Sequence, residues 1–201
     1  MSTICNTESK IIAFEGLNSV GKTKHIEATS IFLAKHNIPH IVSSEISEQK
    51  YHKRGQDMSD MFFRYEWTEK EEIMLISAIR SWHDKAVITP ALSEGKHVLM
   101  DRFIYSTMAY QEHSELCELM KKHKLWHHDA DIPIFLDGIR YPVEHRHGIN
   151  IDYNLVRERF IKIIEKDEKK WLVYNNERDF ENVQSDIERD LSERLGIIRN
   201  K

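Results

Sequence analysis

The sequence predicts an α/β protein in which a five-stranded parallel sheet carries helices on both faces. Short runs that are apolar at nearly every position alternate with longer segments of helical periodicity, as in parallel sheets covered on both sides. Glycine and proline are scarce, with 7 and 4 among 201 residues, and several of them stand where a predicted element begins or ends. Because this length suits one compact domain, we expect a single domain over residues 1–201, with residues 1–9 as a flexible N-terminus.

The predicted strands are short apolar runs bounded by glycine, proline or charged residues. The first stops at Gly16, and the second follows Pro39. The strands comprise residues 10–15, 40–43, 97–100, 131–136 and 171–174. In parallel sheets, ligands bind beyond the carboxyl ends of the strands, so functional residues are expected in the segments that follow them. These segments are residues 15–23, 44–45, 101–102 and 137–138.

The predicted helices show apolar residues three or four positions apart. The longest begins with Thr68 and Glu71, which are spaced as a capping box, and Gly95 follows where a C-terminal glycine is expected. The helices span residues 21–37, 68–93, 105–123, 152–167 and 180–195. Each one connects two strands or follows the last strand, which is the arrangement that covers both faces of a parallel sheet.

Composition and charge exclude several classes of protein. The chain has 29 basic and 33 acidic residues and a net charge of −4, so a surface that binds nucleic acid is not expected. No apolar run is long enough to cross a membrane, and the first residues are too polar for a signal peptide. Cys5 and Cys117 lack the spacing of a zinc site or a disulfide framework, which suits a reducing compartment. We therefore expect a cytoplasmic protein whose partners are small molecules.

The segment after the first strand matches a phosphate-binding motif in full. Residues 16–23 read Gly-Leu-Asn-Ser-Val-Gly-Lys-Thr, which fits GxxxxGK followed by Ser or Thr, between a predicted strand and a predicted helix. The glycines permit a tight loop whose backbone N–H groups cradle phosphate oxygens. In this motif the positively charged Lys22 contacts the β- and γ-phosphates, and the Thr23 hydroxyl binds Mg²⁺. The motif predicts that a nucleoside triphosphate is bound by Gly16, Asn18, Ser19, Val20, Gly21, Lys22, Thr23 and Lys24.

A second motif follows the third predicted strand. Residues 101–111 read Asp-Arg-Phe-Ile-Tyr-Ser-Thr-Met-Ala-Tyr-Gln. Together with the phosphate loop, this segment resembles the thymidylate kinases, whose signature runs DRY, then Ser, then AYQ. Residues 74–83 are similar to the family's helix that carries a base-binding Arg, and residues 133–137 resemble its fourth strand. The resemblance extends over about residues 10–195 and implies the three-layer P-loop NTPase sandwich and a homodimer packed through helices.

The resemblance implies transfer of the γ-phosphoryl group of ATP to the 5′-phosphate of a deoxynucleoside monophosphate, dTMP to dTDP, in the presence of Mg²⁺. By family position, Asp101 and Thr23 act near Mg²⁺, Arg102 holds the acceptor phosphate, and Arg80 reads the base. The short basic LID, at about residues 138–152, contributes Arg146. The implied catalytic residues are Lys22, Asp101, Arg102 and Arg146, and the implied substrate-binding residues are Glu45, Ile76, Arg80, Arg102, Thr107, Tyr110 and Gln111.

The chemistry of these residues agrees with the implied roles. Phosphoryl transfer needs alignment, a metal ion and cations near the transferred group, and an ionised phosphate acceptor needs no strong base. Arg102 follows a strand end, and its planar fork can bind two phosphate oxygens. Arg80 lies four residues after Ile76, on the face of an apolar stripe, so it needs an anion, a carbonyl or a ligand as partner. A structural ion pair would also satisfy Arg80.

The sequence departs from the family pattern at several positions. Asn18 stands where these kinases usually carry an acidic residue that helps with metal or sugar recognition. Ser44 replaces the Arg that precedes Glu45 and would hold the acceptor phosphate, and Ile76 replaces a Phe that stacks on thymine. Four aromatic residues just before the helix with Arg80 either stack on a base or pack as core: Phe62, Phe63, Tyr65 and Trp67.

These departures keep two other functions open. Deoxynucleoside kinases share the fold and the phosphate loop but phosphorylate a neutral 5′-hydroxyl, which requires a carboxylate base. In that family a Glu after the second strand takes the hydroxyl proton, and Glu45 is in the corresponding place. The other alternative is a non-catalytic nucleotide-binding protein, which would bind ATP without transferring phosphate to any monophosphate.

Overall fold

The computed structural model describes residues 8–45, 64–111, 115–116, 119, 122–138, 151–167 and 171–197. Within these residues, five parallel strands form one sheet, as predicted. The strands are β1 (Ile11–Gly16), β2 (His40–Ser43), β3 (His97–Asp101), β4 (Ile132–Asp137) and β5 (Leu172–Asn175), and their order in the sheet is β2-β3-β1-β4-β5. The central strand β1 pairs Phe14 with Asp101 of β3 and Gly16 with Leu136 of β4. This register places the phosphate loop beside the carboxyl ends of both neighbouring strands.

The described helices are α1 (Lys22–Lys35), α2 (Glu69–His83), α3 (Thr89–Ser93), α4 (Ile104–Tyr110), α5 (Tyr153–Lys166) and α6 (Phe180–Leu195). The capping box at Thr68 is confirmed, because its side chain accepts the Glu71 N–H while the Glu71 carboxylate accepts the Thr68 N–H. Gly95 has the positive φ of 74° that a helix end favours. No helix within the described ranges has the length and apolar character needed to span a membrane.

Two apolar layers confirm that helices cover both faces of the sheet. On one face, Ile12 and Phe14 of β1 belong to a buried cluster with α1 and α6, which contribute Leu33 and Ile187. On the other face, the alternate residues of β1 belong to a cluster with the remaining helices, and its members include Ile11, Ala13, Ile73, Ile88, Ile104 and Phe160. Because successive strand residues point to opposite faces, one apolar strand supplies both cores.

The helix predicted over residues 68–93 is not continuously α-helical. It changes at His83 into a π-helical turn, Asp84–Ile88, and resumes as α3. The Thr89 N–H accordingly donates to the Asp84 carbonyl, five residues back. Pro90 explains the change, since it has no N–H to donate and its ring excludes the carbonyl of the preceding turn. The Asp84 side chain is buried and accepts the His127 N–H at 2.7 Å.

The helix predicted over residues 105–123 is interrupted at Gln111, although residues 115–116, 119 and 122 are again helical. The helix α4 begins at Ile104 and ends at Tyr110, because Gln111 is extended with φ −99° and ψ 144°. The Gln111 amide donates to Glu72 Oε2 on α2 at 2.8 Å, a tertiary contact that the local sequence does not reveal. The sequence around Gln111 carries neither glycine nor proline, so periodicity alone did not reveal the interruption.

Candidate active site

The phosphate loop lies between β1 and α1, and its backbone requires the glycines of the motif. Gly16 has φ 142°, and a Cβ atom there would lie 2.6 Å from the Leu136 carbonyl oxygen. Gly21 has φ 105° and occupies the N-cap of α1. At both positions, any residue other than glycine would strain the backbone. The loop therefore leads directly into the N-terminus of α1, where free N–H groups favour an anion.

Lys22 lies inside the loop that it belongs to. Its Nζ atom donates to the Leu17 carbonyl at 2.7 Å and to the Gly16 carbonyl at 3.3 Å, and only 6% of the residue is exposed. Burial lowers the pKa of Lys22 to about 7, and the nearby charge of Arg102 acts in the same direction. A triphosphate in the loop would supply the negative charge that this buried ammonium group needs.

Thr23 and Asp101 form the candidate magnesium site. The Thr23 hydroxyl donates to Asp101 Oδ2 at 3.3 Å, across the junction between α1 and β3. Hydroxyl and carboxylate oxygens are the ligands that Mg²⁺ prefers, and it usually takes one or two from the protein and the rest from phosphates and water. Among the described residues, no group of three or more His, Cys, Asp or Glu could hold a metal. The pair fits Mg²⁺ bound together with a nucleotide.

Arg102 is fixed to the rim of the phosphate loop by three acceptors. Its Nη1 donates to the Gly16 carbonyl at 3.0 Å and to Ser106 Oγ at 2.8 Å, and its Nη2 donates to Asn18 Oδ1 at 2.6 Å. The residue has φ 68°, so the chain turns sharply just after β3. The guanidinium also lies 5.1 Å from the centre of the Tyr110 ring. These contacts place a cation next to the loop expected to hold the γ-phosphate.

Asn18, which departs from the family pattern, connects the loop to two tyrosines. Its backbone N–H donates to the Tyr110 hydroxyl at 3.0 Å, and its Nδ2 donates to the Tyr153 hydroxyl at 3.4 Å. Tyr110 was predicted as a site residue, whereas sequence reasoning missed Tyr153. Tyr153 follows the capping residue Asp152 at the start of a helix near the predicted LID. This position was the feature of the sequence that could have indicated Tyr153.

Arg80 and Glu45 form a buried ion pair. Arg80 donates from Nε and Nη2 to the two carboxylate oxygens of Glu45, at 2.9 and 2.7 Å, and from Nη2 to Thr107 Oγ1 at 3.0 Å. Burial raises the pKa of Glu45, and the Arg80 charge opposes that change. The structural ion pair that would satisfy Arg80 is therefore present. Its Nη1 atom is buried and has no hydrogen-bond partner among the described residues, so one donor remains for a ligand.

Aromatic rings enclose the Arg80 guanidinium, whose carbon lies 5.8 Å from the Phe103 ring centre and 5.1 Å from that of Trp126. Ile76, one turn earlier on α2, is buried. Trp126 was missed by sequence reasoning, since nothing near it in the chain marks it. Of the four aromatic residues proposed for stacking, Tyr65 is 58% exposed and contacts Trp67 edge to face, so it does not pack as core.

The remaining predicted residues are distributed as follows. Val20 is buried, and its carbonyl accepts a hydrogen bond from the Asn176 amide. Ser19 and Lys24 are exposed. Gln111 lies against Glu72 on α2. Phe62, Phe63, Arg146 and the interior of the predicted LID, residues 139–150, lie outside the described residues.

A buried polar network supports the phosphate loop from behind and was missed by sequence reasoning. His25 Nε2 lies 2.8 Å from Asn176 Oδ1, and His25 Nδ1 lies 2.9 Å from Gln184 Oε1. Asn176 in turn donates to the Val20 carbonyl. These residues come from α1, α6 and the end of β5, so only the fold brings them together. The network holds the middle of the loop against the sheet.

Glu15, the residue before the loop, was also missed. It is fully buried, and burial raises the pKa of its carboxyl to about 7 although Ser106 and Arg102 act in the opposite direction. A carboxylate within an apolar strand was the signal in the sequence.

The chain is similar in sequence to known proteins of one family. A sequence model of the thymidylate kinase family matches residues 14–187. The thymidylate kinase of Glaesserella parasuis is 31% identical, over 89% of this chain and 93% of that protein. That of Neorickettsia sennetsu is 34% identical over 54% of this chain, and this match spans 53% of that relative's length.

A solved structure shows the same fold. The crystal structure of thymidylate kinase from Ehrlichia chaffeensis matches with a TM-score of 0.72 and 22% sequence identity, over 92% of this chain and 98% of that one. At this identity the likeness establishes the P-loop NTPase architecture, while the sequence matches establish the relationship. The chain belongs to the thymidylate kinase family.

Proposed function

We propose that this chain transfers the γ-phosphoryl group of ATP to the 5′-phosphate of dTMP and so forms dTDP. The observation that carries this proposal is the bond between Arg102 and the phosphate loop itself, with Nη1 3.0 Å from the Gly16 carbonyl oxygen. A guanidinium fixed at this point can hold an acceptor phosphate within reach of a γ-phosphate in the loop.

The residues divide the work of phosphoryl transfer between them. The loop N–H groups and Lys22 hold the donor phosphates, and Arg102 holds the acceptor phosphate in line with them. Mg²⁺, held by Thr23 and Asp101, would neutralise charge on the transferring phosphoryl group. The acceptor phosphate is already ionised at neutral pH, so no residue has to remove a proton from it. Arg146, in the predicted LID, is proposed to add a further cation.

Base recognition is assigned to the buried donor of Arg80. Its Nη1 atom has no hydrogen-bond partner among the described residues, and a thymine carbonyl oxygen would provide one. Thr107 and Glu45 fix the rest of the guanidinium, which gives the free donor a defined direction. Ile76, Tyr110 and Gln111 are proposed to complete the substrate pocket.

The contacts of Glu45 disfavour the deoxynucleoside kinase alternative. A base for a neutral 5′-hydroxyl needs a carboxylate oxygen facing that hydroxyl. Both oxygens of Glu45 instead accept hydrogen bonds from Arg80, at 2.9 and 2.7 Å. The third alternative is a protein that binds ATP without catalysis. Asn18 does not support it, because the Asn18 Oδ1 atom accepts a hydrogen bond from Arg102 and so helps to hold that residue at the loop.

The active form is proposed to be a homodimer in the cytoplasm, with both cysteines reduced. Family membership and the sparse cysteine content support this part of the proposal. Light scattering at assay concentration tests the dimer, and a monomer with full activity would overturn it.

A panel of acceptors tests the reaction. The wild-type chain is incubated with ATP, Mg²⁺ and either dTMP, another deoxynucleoside monophosphate or thymidine, and the products are separated by chromatography. The expected product is dTDP. The other monophosphates should be poorer phosphate acceptors than dTMP, and thymidine should not be phosphorylated. Turnover of thymidine alone would establish the nucleoside kinase alternative, and ATP binding without any product would establish the non-catalytic one.

A further inference from the structure

The carboxylate of Glu15 is connected through the Ser106 hydroxyl to Arg102, the proposed ligand of the acceptor phosphate. Glu15 is the fifth residue of the six-residue strand β1 and is 0% exposed. Its Oε1 accepts the backbone N–H groups of Phe103 and Ser106, at 2.9 and 3.3 Å. Its Oε2 accepts the Ser106 hydroxyl at 2.5 Å. The carboxylate therefore joins the central strand to the first turn of α4, just after Arg102.

The Ser106 hydroxyl has a single hydrogen and takes part in two hydrogen bonds. It donates to Glu15 Oε2, and its oxygen accepts from Arg102 Nη1 at 2.8 Å. At pH 8, above the pKa of about 7, the Glu15 carboxylate is ionised and cannot donate, so the hydroxyl hydrogen must point toward Glu15. The oxygen lone pairs are then left facing the guanidinium. The direction of this hydroxyl thus depends on Glu15.

We propose that Glu15 is a positioning residue for the acceptor: its carboxylate sets the direction of the Ser106 hydroxyl, and that hydroxyl holds Arg102 in place for the acceptor phosphate. The inference rests on the proposed function, in which Arg102 binds that phosphate. Glu15 itself touches neither substrate and works through Ser106.

Replacement of Glu15 by Gln has a defined consequence, because the two backbone N–H groups fix the orientation of the new amide. The amide oxygen has to stay at the Oε1 position to accept from Phe103 and Ser106. The NH₂ group then faces Ser106 Oγ and donates to it. The hydroxyl hydrogen loses its acceptor and is free to turn toward the guanidinium, which is itself a donor. In the orientations that point the hydrogen there, the contact between Ser106 and Arg102 becomes repulsive.

Removing the Ser106 hydroxyl as well should therefore rescue the Glu15→Gln variant. Ser106→Ala lacks the hydroxyl, so it loses one hydrogen bond to Arg102. It also has no hydroxyl hydrogen that could point toward the guanidinium. The double variant Glu15→Gln, Ser106→Ala should therefore behave like Ser106→Ala alone. A residue that only stabilised the fold would instead add its own defect to that of the other change.

The test is steady-state kinetics at pH 8 with ATP and dTMP varied separately. Glu15→Gln is expected to raise KM for dTMP about tenfold or more, with KM for ATP changed by less than about twofold. Ser106→Ala is expected to raise KM for dTMP severalfold, and the double variant should return to that value. As a matched control, Asp131→Asn alters a carboxylate that accepts the Ile11 N–H at the opposite end of the sheet and should change neither KM.

An unchanged KM for dTMP in Glu15→Gln, or a double variant worse than either single variant, would overturn the inference. If Glu15→Gln does not fold, Ser106→Ala decides alone, since an unaltered KM for dTMP there removes the link to Arg102. The wild-type chain is assayed first. If it does not phosphorylate dTMP, the proposed function fails and this inference fails with it, whereas an active wild type with unaffected variants overturns only the inference.

Discussion

Arg80 and Glu45 form a two-point ion pair in which the side chains are only 1% and 4% exposed. Removing one partner of such a pair leaves an uncompensated buried charge. We expect Arg80→Met to lower the free energy of unfolding by about 3–5 kcal/mol, as measured by urea denaturation. The double variant Arg80→Met, Glu45→Gln should recover part of this loss, because the buried carboxylate is also removed. Equal losses in the single and double variants would contradict the pairing.

The same variant tests how the base is read. Arg80→Met removes the buried Nη1 donor, so the preference for dTMP over dCMP in kcat/KM should fall about tenfold. The assay is run below the unfolding temperature of the variant, with Arg189→Met on the exposed face of α6 as control. If Arg80→Met folds and keeps the preference, Arg80 is a structural partner of Glu45 and nothing more.

Arg102→Lys tests the planar fork at the acceptor site. Lysine keeps the positive charge but cannot reach the Gly16, Ser106 and Asn18 acceptors at the same time. We expect KM for dTMP to rise about 10-fold to 100-fold while KM for ATP stays close to its wild-type value. Titration of each substrate at saturation of the other gives both constants. A rise confined to ATP would assign Arg102 to the donor instead.

Lys22→Ala should slow transfer strongly and preserve the fold. The change removes a cation that meets the transferring phosphoryl group, so kcat should fall by about 100-fold to 1000-fold. The circular dichroism spectrum should not change, because the ammonium group bonds only to two loop carbonyls in the described structure. Lys35→Ala, at the other end of the same helix, is the control and should be fully active. Turnover at the wild-type rate in Lys22→Ala would remove the loop from the mechanism.

The features that the sequence could predict are those encoded locally. The five apolar strands and the loop motif each occupy a few consecutive residues, and the rule for parallel sheets then brings Lys22, Thr23, Asp101 and Arg102 to one edge. The end of α4 was missed because the contact of Gln111 with Glu72 is tertiary. The polar partners of the site were missed for the same reason, since Glu15 and Ser106 are 91 residues apart in the chain.

The raised pKa of Glu15 predicts a specific dependence of stability on pH. The folded chain keeps the Glu15 proton up to a pKa of about 7, whereas the unfolded chain releases it near 4.5. Between these values the folded state binds more protons, so this group makes stability fall as pH rises from 4.5 to 7. The difference in pKa corresponds to a loss of about 3 kcal/mol. Urea denaturation from pH 5 to pH 7.5 should show most of this loss in the wild type and in Asp131→Asn but not in Glu15→Gln. Parallel curves for the wild type and Glu15→Gln would mean that the carboxyl is already ionised at pH 5, in which case the Arg102 and Lys22 charges outweigh the cost of burying it.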